Sequence, residues 1–389
     1  MSDSFLSVLE SVRVDQASTQ ALFGDVGTGV RHAGLRDSAT YQSRLAEAAQ
    51  LLSDVIAGRR PDYVLREAMT TSDFPLLFGD IMDRAVLAAY REYPVSWPNY
   101  AATRTVRDFR AVNLFDLSGL AGVLDKVPER TEYPQAALAE TRYQLAVAKY
   151  GKGIEFSWET LINDDLGSFS SAPAMMAAGA RRTEEYTVAQ QFVGASGPNS
   201  TLYSSGNANI VTGNPALSIA GLQTAMGILA AQTDGDGNPV VLDAVELVVP
   251  AALQITAENI LNAIEIRAQS SGGGTAAQTI VAQNWMRGRV RLSINPYITT
   301  LATSANSTTS WFLFASAATR PALVGARLRG HEEPEIFMRE SNQRRVGGSG
   351  LNPLDGDFAT DAIGYKVRHA FGAATVDPKA TVASNGSGS

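Results

Sequence analysis

The stretch SWETLINDDLGSFSSAPAMMAAGARRTEEYTVAQQFV, Ser157 to Val193, decides the reading of the chain. Asn163, Asp164, Asp165 and Gly167 form a polar turn, and Ser170 or Ser171 is placed to cap the helix that follows. From Pro173 onward there is no further proline and a single glycine, Gly179, before Gly194 ends the run. Met175, Met176, Ala178, Tyr186, Val188, Ala189 and Phe192 recur at spacings of three and four, which predicts one apolar face. Arg181, Arg182, Glu184 and Glu185 then read as the opposite, solvated face. A long core helix is the plain expectation.

Upstream, Tyr143 to Trp158 and Thr105 to Leu120 alternate apolar and polar residues in the two-residue rhythm of strands, and together they read as one long hairpin. Its tip, DKVPERTEYP from Asp125 to Pro134, gathers Asp125, Lys126, Glu129, Arg130 and Glu132 around prolines, so it is solvated and resists edge-to-edge pairing. A two-stranded ribbon has no second layer on which to bury its apolar side and is marginal alone. It needs a partner, and another copy of the chain is the simplest one.

Five segments carry a more specific signal: Thr71 to Met82, Val106 to Val112, Ala146 to Phe169, Ser310 to Glu335 and Gly364 to Ala380. In this order they resemble the major head subunit of Mu-like tailed phages, within the wider Johnson-fold capsid group known from a Hong Kong coliphage. The resemblance implies an α+β, Johnson-type major capsid fold: an N-terminal arm, an extended β-hairpin loop, a peripheral domain with a long spine helix, and an axial domain. It divides the chain into an arm or helical region (1–70), the first helix of the peripheral domain (71–104), the hairpin loop (105–158), the spine helix and peripheral domain (159–212), the axial domain (213–334), returning peripheral strands (335–380) and a disordered tail (381–389).

Composition agrees with a globular chain that covers itself with neighbours. The 389 residues exceed one ordinary core. Hydrophobic residues make up 45% and charged ones only 18%, low for a free monomer. A net charge of −7 argues against a dedicated nucleic-acid binder, because phosphate affinity comes from clustered Lys and Arg. A DNA container benefits from that weakness. With no cysteine, disulfides and thiolate metal sites are excluded. The opening MSDSFLSVLESV has no sustained apolar core and does not read as a secretory signal. Nothing reaches the roughly 18 apolar residues of a membrane span.

Elsewhere, Thr40 to Ala57 carries a narrow amphipathic stripe, and Ser72 to Tyr93 reads as a helix with Leu77, Phe78, Ile81, Met82, Ala85 and Ala88 inward. Ser218 to Gln232 predicts a small-residue helix, Val245 to Val249 a buried strand, and the run after Pro250 a helix with Leu253, Ala257, Ile260, Leu261 and Ile264 inward. Ser270 to Gln278 reads as a loop. Further strands are expected at Val290 to Ile294, Trp311 to Phe314, Glu335 to Arg339 and around Gly364 to Phe371, before a disordered SNGSGS end.

No catalytic pattern in the sequence is complete. His331 in HEEPE lacks the second histidine of a zinc-protease helix, and Pro334 would break that helix. Asp234, Asp236 and Asn238 have calcium-loop spacing, but Pro239 and Val245 replace the glycine and bidentate glutamate such a loop needs. Neither GASGP nor GGSGL has the last glycine of a hydrolase elbow. No catalytic, cofactor or metal residue is therefore assigned. Some members of the wider capsid group join subunits through a hairpin lysine and a neighbour's asparagine; Lys126 is the lysine so placed, and it reads as solvated because Mu-like relatives are not expected to share that bond. The resemblance implies a non-enzymatic virion protein assembled in the host cytoplasm. It would form pentamers and hexamers that enclose double-stranded DNA without sequence-specific binding or a membrane, beside portal, scaffold and decoration proteins. Alternatives are an encapsulin-like nanocompartment shell of the same fold and, more distantly, a β-rich hydrolase.

Overall fold

A computed structural model of the chain describes residues 86–118, 139–157, 166–233, 245–263, 265–269, 279–284, 286–339, 341–343 and 356–388, with a few isolated positions elsewhere. The amphipathic stripe at 40–57, the loop at 270–278 and most of the helix expected at 72–93 lie outside these residues, although 86–92 are helical and Val86 and Tyr90 are buried.

In chain order the strands are β1 (Ala101–Val106), β2 (Val112–Ser118), β3 (Ala139–Leu145), β4 (Ala148–Phe156), β5 (Val193–Gly194), β6 (Gly197–Pro198), β7 (Val245–Val249), β8 (Glu265–Gln269), β9 (Thr279–Gln283), β10 (Val290–Ile294), β11 (Trp311–Ala315), β12 (Leu323–Leu328), β13 (Glu335–Met338), β14 (Ile363–Thr375) and β15 (Thr381–Ser384). The helices are α1 (Leu166–Phe192), α2 (Ile219–Ala230), α3 (Gln254–Asn262) and the short α4 (Tyr297–Leu301). This is a mixed fold of helices and sheets. It divides into two compact units, one of residues 1–94, 148–183 and 327–371, the other of residues 95–147, 184–326 and 372–389.

In the first unit, residues 363–371 of β14 pair antiparallel with β4 on one side and β13 on the other. The alternation of β14 puts Ile363, Tyr365, Val367, His369 and Phe371 on a buried face, with Lys366 exposed on the other. Gly151 is required by its neighbour strand: a Cβ there would stand 2.8 Å from the Val367 carbonyl oxygen.

The second unit is built on a sheet in the order β10, β7, β11, β15, with β7 and β10 parallel and the other pairs antiparallel. β7 and β11 are buried along their whole length, as apolar strands covered on both faces are, with Glu246 the one charged residue among them. One face carries Val245, Leu247, Val249, Trp311, Leu313 and Val382, packed with Leu222, Ala225 and Leu229 of α2 and Ala257 and Leu261 of α3. The other face presents Phe312 and Phe314, whose ring centres lie 4.9 and 5.4 Å from that of Phe192 at the end of α1. Ser218 caps α2, its hydroxyl accepting from the Gly221 N–H at 3.1 Å.

Three sequence expectations are corrected. The helix α1 begins at Leu166, before either expected serine cap, and runs through Pro173. The interior proline forfeits one backbone hydrogen bond, and burial further along at Met176, Ala177, Ala180, Val188, Ala189 and Phe192 sustains the helix instead. The single long hairpin is a shorter ribbon, Val112 to Ser118 paired with Leu145 to Ala139, because β4 pairs with β14 rather than continuing the ribbon. The tail expected from 381 is strand β15, buried at every position. Its order comes from partners distant in sequence: the Val211 N–H donates to the Ala383 carbonyl and the Ala383 N–H to the Asn209 carbonyl, both at 3.0 Å. Beyond it, the Thr309 hydroxyl donates to the Asn385 carbonyl at 2.8 Å.

Candidate assembly interface

Residues Ser96 to Tyr100 lead directly into β1, and their position is set by the charged pair that sequence spacing places on the solvent face of α1. Glu184 and Glu185 are both buried. The carboxylate of Glu185 meets five donors: the N–H and hydroxyl of Ser96, the N–H of Trp97, the hydroxyl of Tyr100 and the side-chain amide of Asn295. The Ser96 N–H lies 2.9 Å away, that of Trp97 3.2 Å and the Asn295 amide 2.9 Å. Glu184 accepts the indole N–H of Trp97 at 3.1 Å. Carboxylates accept only, so a cluster of donors is the arrangement that makes their burial tolerable.

Burial still pushes the Glu185 carboxyl above the ordinary carboxylate range, with the hydrogen bonds from Ser96, Trp97 and Tyr100 pulling it back in part. The Tyr100 hydroxyl is raised well above its ordinary value by burial first and by the Glu185 charge second. A second buried carboxylate, Glu246 on β7, accepts from the Ser293 hydroxyl at 2.5 Å, and the Asn99 amide donates to that same hydroxyl at 3.0 Å. The start of β1 is thereby tied to α1, β7 and β10.

The arginines expected beside these glutamates are anchors as well. Arg181 donates to the Tyr90 carbonyl at 2.7 Å with its guanidinium 3.7 Å from the centre of the Tyr90 ring, and Arg182 donates to the Tyr93 hydroxyl at 3.1 Å. Conversely Met175, expected inward, is 66% exposed, and Tyr186 lies half in solvent against the Tyr297 ring.

From β1 the chain passes through an exposed turn, Arg107 to Ala111, into the ribbon of β2 and β3, which forms a two-stranded sheet of its own. Leu114 and Leu145 are buried on one side of it, while Phe115 is 58% exposed beside its cross-strand partner Arg142. The ribbon leaves from a fixed base: Leu145 and Val147 are buried, and Gly372 lets the backbone approach so closely that a Cβ there would stand 2.1 Å from the Ala146 carbonyl oxygen. At the far end Glu129 and Arg130 are exposed in a turn, Arg130 with a left-handed φ of 63°. Asp125, Lys126 and Glu132 lie outside the described residues.

A family model described as phage capsid protein matches residues 141–384, more than half of the chain. The chain belongs to the phage capsid protein family. No curated protein matches it. Among solved structures, this capsid protein is similar to a chain of Gordonia phage Cozz at 14% identity and a TM-score of 0.42, covering 73% of this chain and 83% of that one. It is similar also to the capsid of cyanophage P-SCSP1u at 11% identity and 0.42, covering 75% and 87%, and to a virus-like particle from Pyrococcus furiosus at 12% and 0.39, covering 79% and 98%. The family assignment rests on the sequence match.

Among the described residues of this capsid protein, no group of His, Cys, Asp or Glu side chains is arranged to hold a metal ion, and no helix is long and apolar enough to cross a membrane. What the described residues present instead is a two-stranded ribbon, with Phe115 exposed on it, that follows a polar-locked start of β1. Glu184 and Glu185 were missed as positioning residues because adjacent charges on an amphipathic helix read as solvated; their partners Ser96, Trp97 and Asn295 leave no local mark around them.

Proposed function

We propose that this protein is the major capsid protein of a tailed phage, a Mu-like member of the Johnson-fold group, and that it acts by geometry rather than catalysis. The observation carrying the proposal is the family match across residues 141–384. In this reading α1 and the sheets stiffen a wedge. The ribbon, with Asp125, Lys126, Glu129, Arg130 and Glu132 at its tip, overlaps a neighbouring copy and buries there the apolar side chains it leaves exposed. Obligate interfaces of this class bury roughly 2,000 to 5,000 Å² in total. Copies close as pentamers and hexamers into an icosahedral head in the virion, assembled in the host cytoplasm with portal, scaffold and decoration proteins. An acidic chain encloses double-stranded DNA without gripping it. Negative-stain microscopy of the purified full chain, with absorbance at 260 nm to report nucleic acid, tests this. Closed shells are the expected result; shells holding a protein cargo and no DNA would move the reading to a nanocompartment, and a lasting monomer would end it.

A further inference from the structure

Phe358 is the most exposed large apolar side chain among the described residues, at 79%. It does not sit on a loose loop. Its N–H donates to the Asn342 side chain at 2.7 Å, and the Asp361 N–H closes back on the Asp357 carbonyl at 2.7 Å. The Ser341 hydroxyl donates to the Gly356 carbonyl at 2.7 Å, and the Gln343 amide to the Asp361 carboxylate at 2.9 Å. Gly356 takes a φ of 81° where a Cβ would stand 2.5 Å from Asp361 backbone atoms. The backbone of the turn is thus fixed, and the turn carries an exposed aromatic ring together with the carboxylates of Asp357 and Asp361. With the backbone of the turn already fixed, covering the ring need order little beyond the side chain itself.

A complementary surface stands at the ribbon base. Arg107 and Arg110 flank the exposed Phe109 in the turn before β2, and Arg142 lies across from the exposed Phe115. Among the described residues no carboxylate pairs with these three guanidiniums. Asp108 in the same turn is engaged by the Arg110 backbone N–H at 3.1 Å. The surface therefore offers three guanidiniums without a described ion pair, beside aromatic rings and with Asp108 among them, where the Phe358 turn offers two carboxylates beside an aromatic ring.

We propose that the Phe358 turn of one copy docks on the ribbon base of a second copy, with Phe358 against Phe109 and Phe115, and Asp357 and Asp361 facing Arg107, Arg110 and Arg142. The occupant is a second copy because the ring is exposed in its own chain and because the two surfaces carry opposite charge. This contact rests on the self-assembly proposed above and specifies one joint within it.

The absence of cysteine in the chain makes the test clean. Full-length F358C carrying a size tag is co-assembled with untagged F115C and oxidised, and a denaturing gel shows whether a tagged chain joins an untagged one. A mixed dimer band is expected from F358C with F115C and none from F358C with I255C, whose position on α3 is equally exposed. The wild-type chain in parallel distinguishes the contact from self-assembly: shells that form while no mixed dimer appears overturn this contact and leave self-assembly standing, whereas no shells from the wild type overturn self-assembly itself. A second variant, F358A, raises the concentration needed for assembly by about 10-fold or more and leaves the melting temperature unchanged, since an exposed ring contributes little to its own subunit. F358A assembling at the wild-type concentration would also overturn the contact.

Discussion

Glu185 shows what a single residue does here. Replacing it by Gln swaps one acceptor oxygen for an NH₂ group that faces donors, so E185Q leaves buried donors unmet and lowers stability by roughly 1 to 3 kcal/mol in denaturant unfolding. The pH dependence has a definite sign. Because burial raises the folded Glu185 carboxyl above the ordinary value of 4.5, its contribution is full below that value and lost as the pH rises through the raised one. The stability gap between wild type and E185Q therefore narrows as the pH is raised from acid. Glu335 behaves in the opposite sense: burial raises it, but hydrogen bonds from Arg368 and His331 and their charges outweigh that and lower it. Its contribution is full above 4.5 and lost as the pH falls through the lowered value, so the gap between wild type and E335Q narrows toward acid, and the two variants give melting curves with opposed pH trends. None of this was legible in the sequence. Two adjacent glutamates on a helix carry no local mark that distinguishes a buried lock from a wet face; only partners about ninety residues upstream and more than a hundred downstream make the difference.

At the scale of elements, legibility followed how locally each element is stabilised. β7, α2, α3, β10 and β11 were readable because apolar runs, a serine cap and helical spacing lie within the segment itself. The extent of the ribbon and the existence of β15 were not, because strand pairing is decided by partners far along the chain: β4 leaves the ribbon for β14, and the polar SNGSGS end conceals a strand that begins at Thr381. Two glycines separate the effects of packing and propensity. G372A drives a Cβ against the Ala146 carbonyl and costs roughly 1 to 3 kcal/mol, while G179A meets nothing within 4 Å on the exposed side of α1 and stabilises by about 1 kcal/mol. Thermal melts of the two variants should move in opposite directions. Excising residues 113–144 and closing the gap with an Asn-Gly turn removes the ribbon without touching either compact sheet. The expected product is a folded, soluble chain with near-wild-type melting that forms no shells; shells from it would show that the ribbon is dispensable.

For the molecule as a whole, the proposed function assigns its exposed surfaces to other copies. Its two compact units are held by buried apolar sheets and polar locks, while Phe115 of the ribbon, Phe358 and the arginines at the ribbon base remain in water. Low charge content and an acidic balance fit the proposed shell wall, which would meet itself laterally and enclose a polyanion without adhering to it. The most direct measurement is analytical sedimentation of the purified full-length protein at micromolar concentration, with the fastest fraction imaged by electron microscopy. Closed shells sedimenting far ahead of the 41.3 kDa chain are the predicted result, and a single species at the mass of one chain would contradict the account.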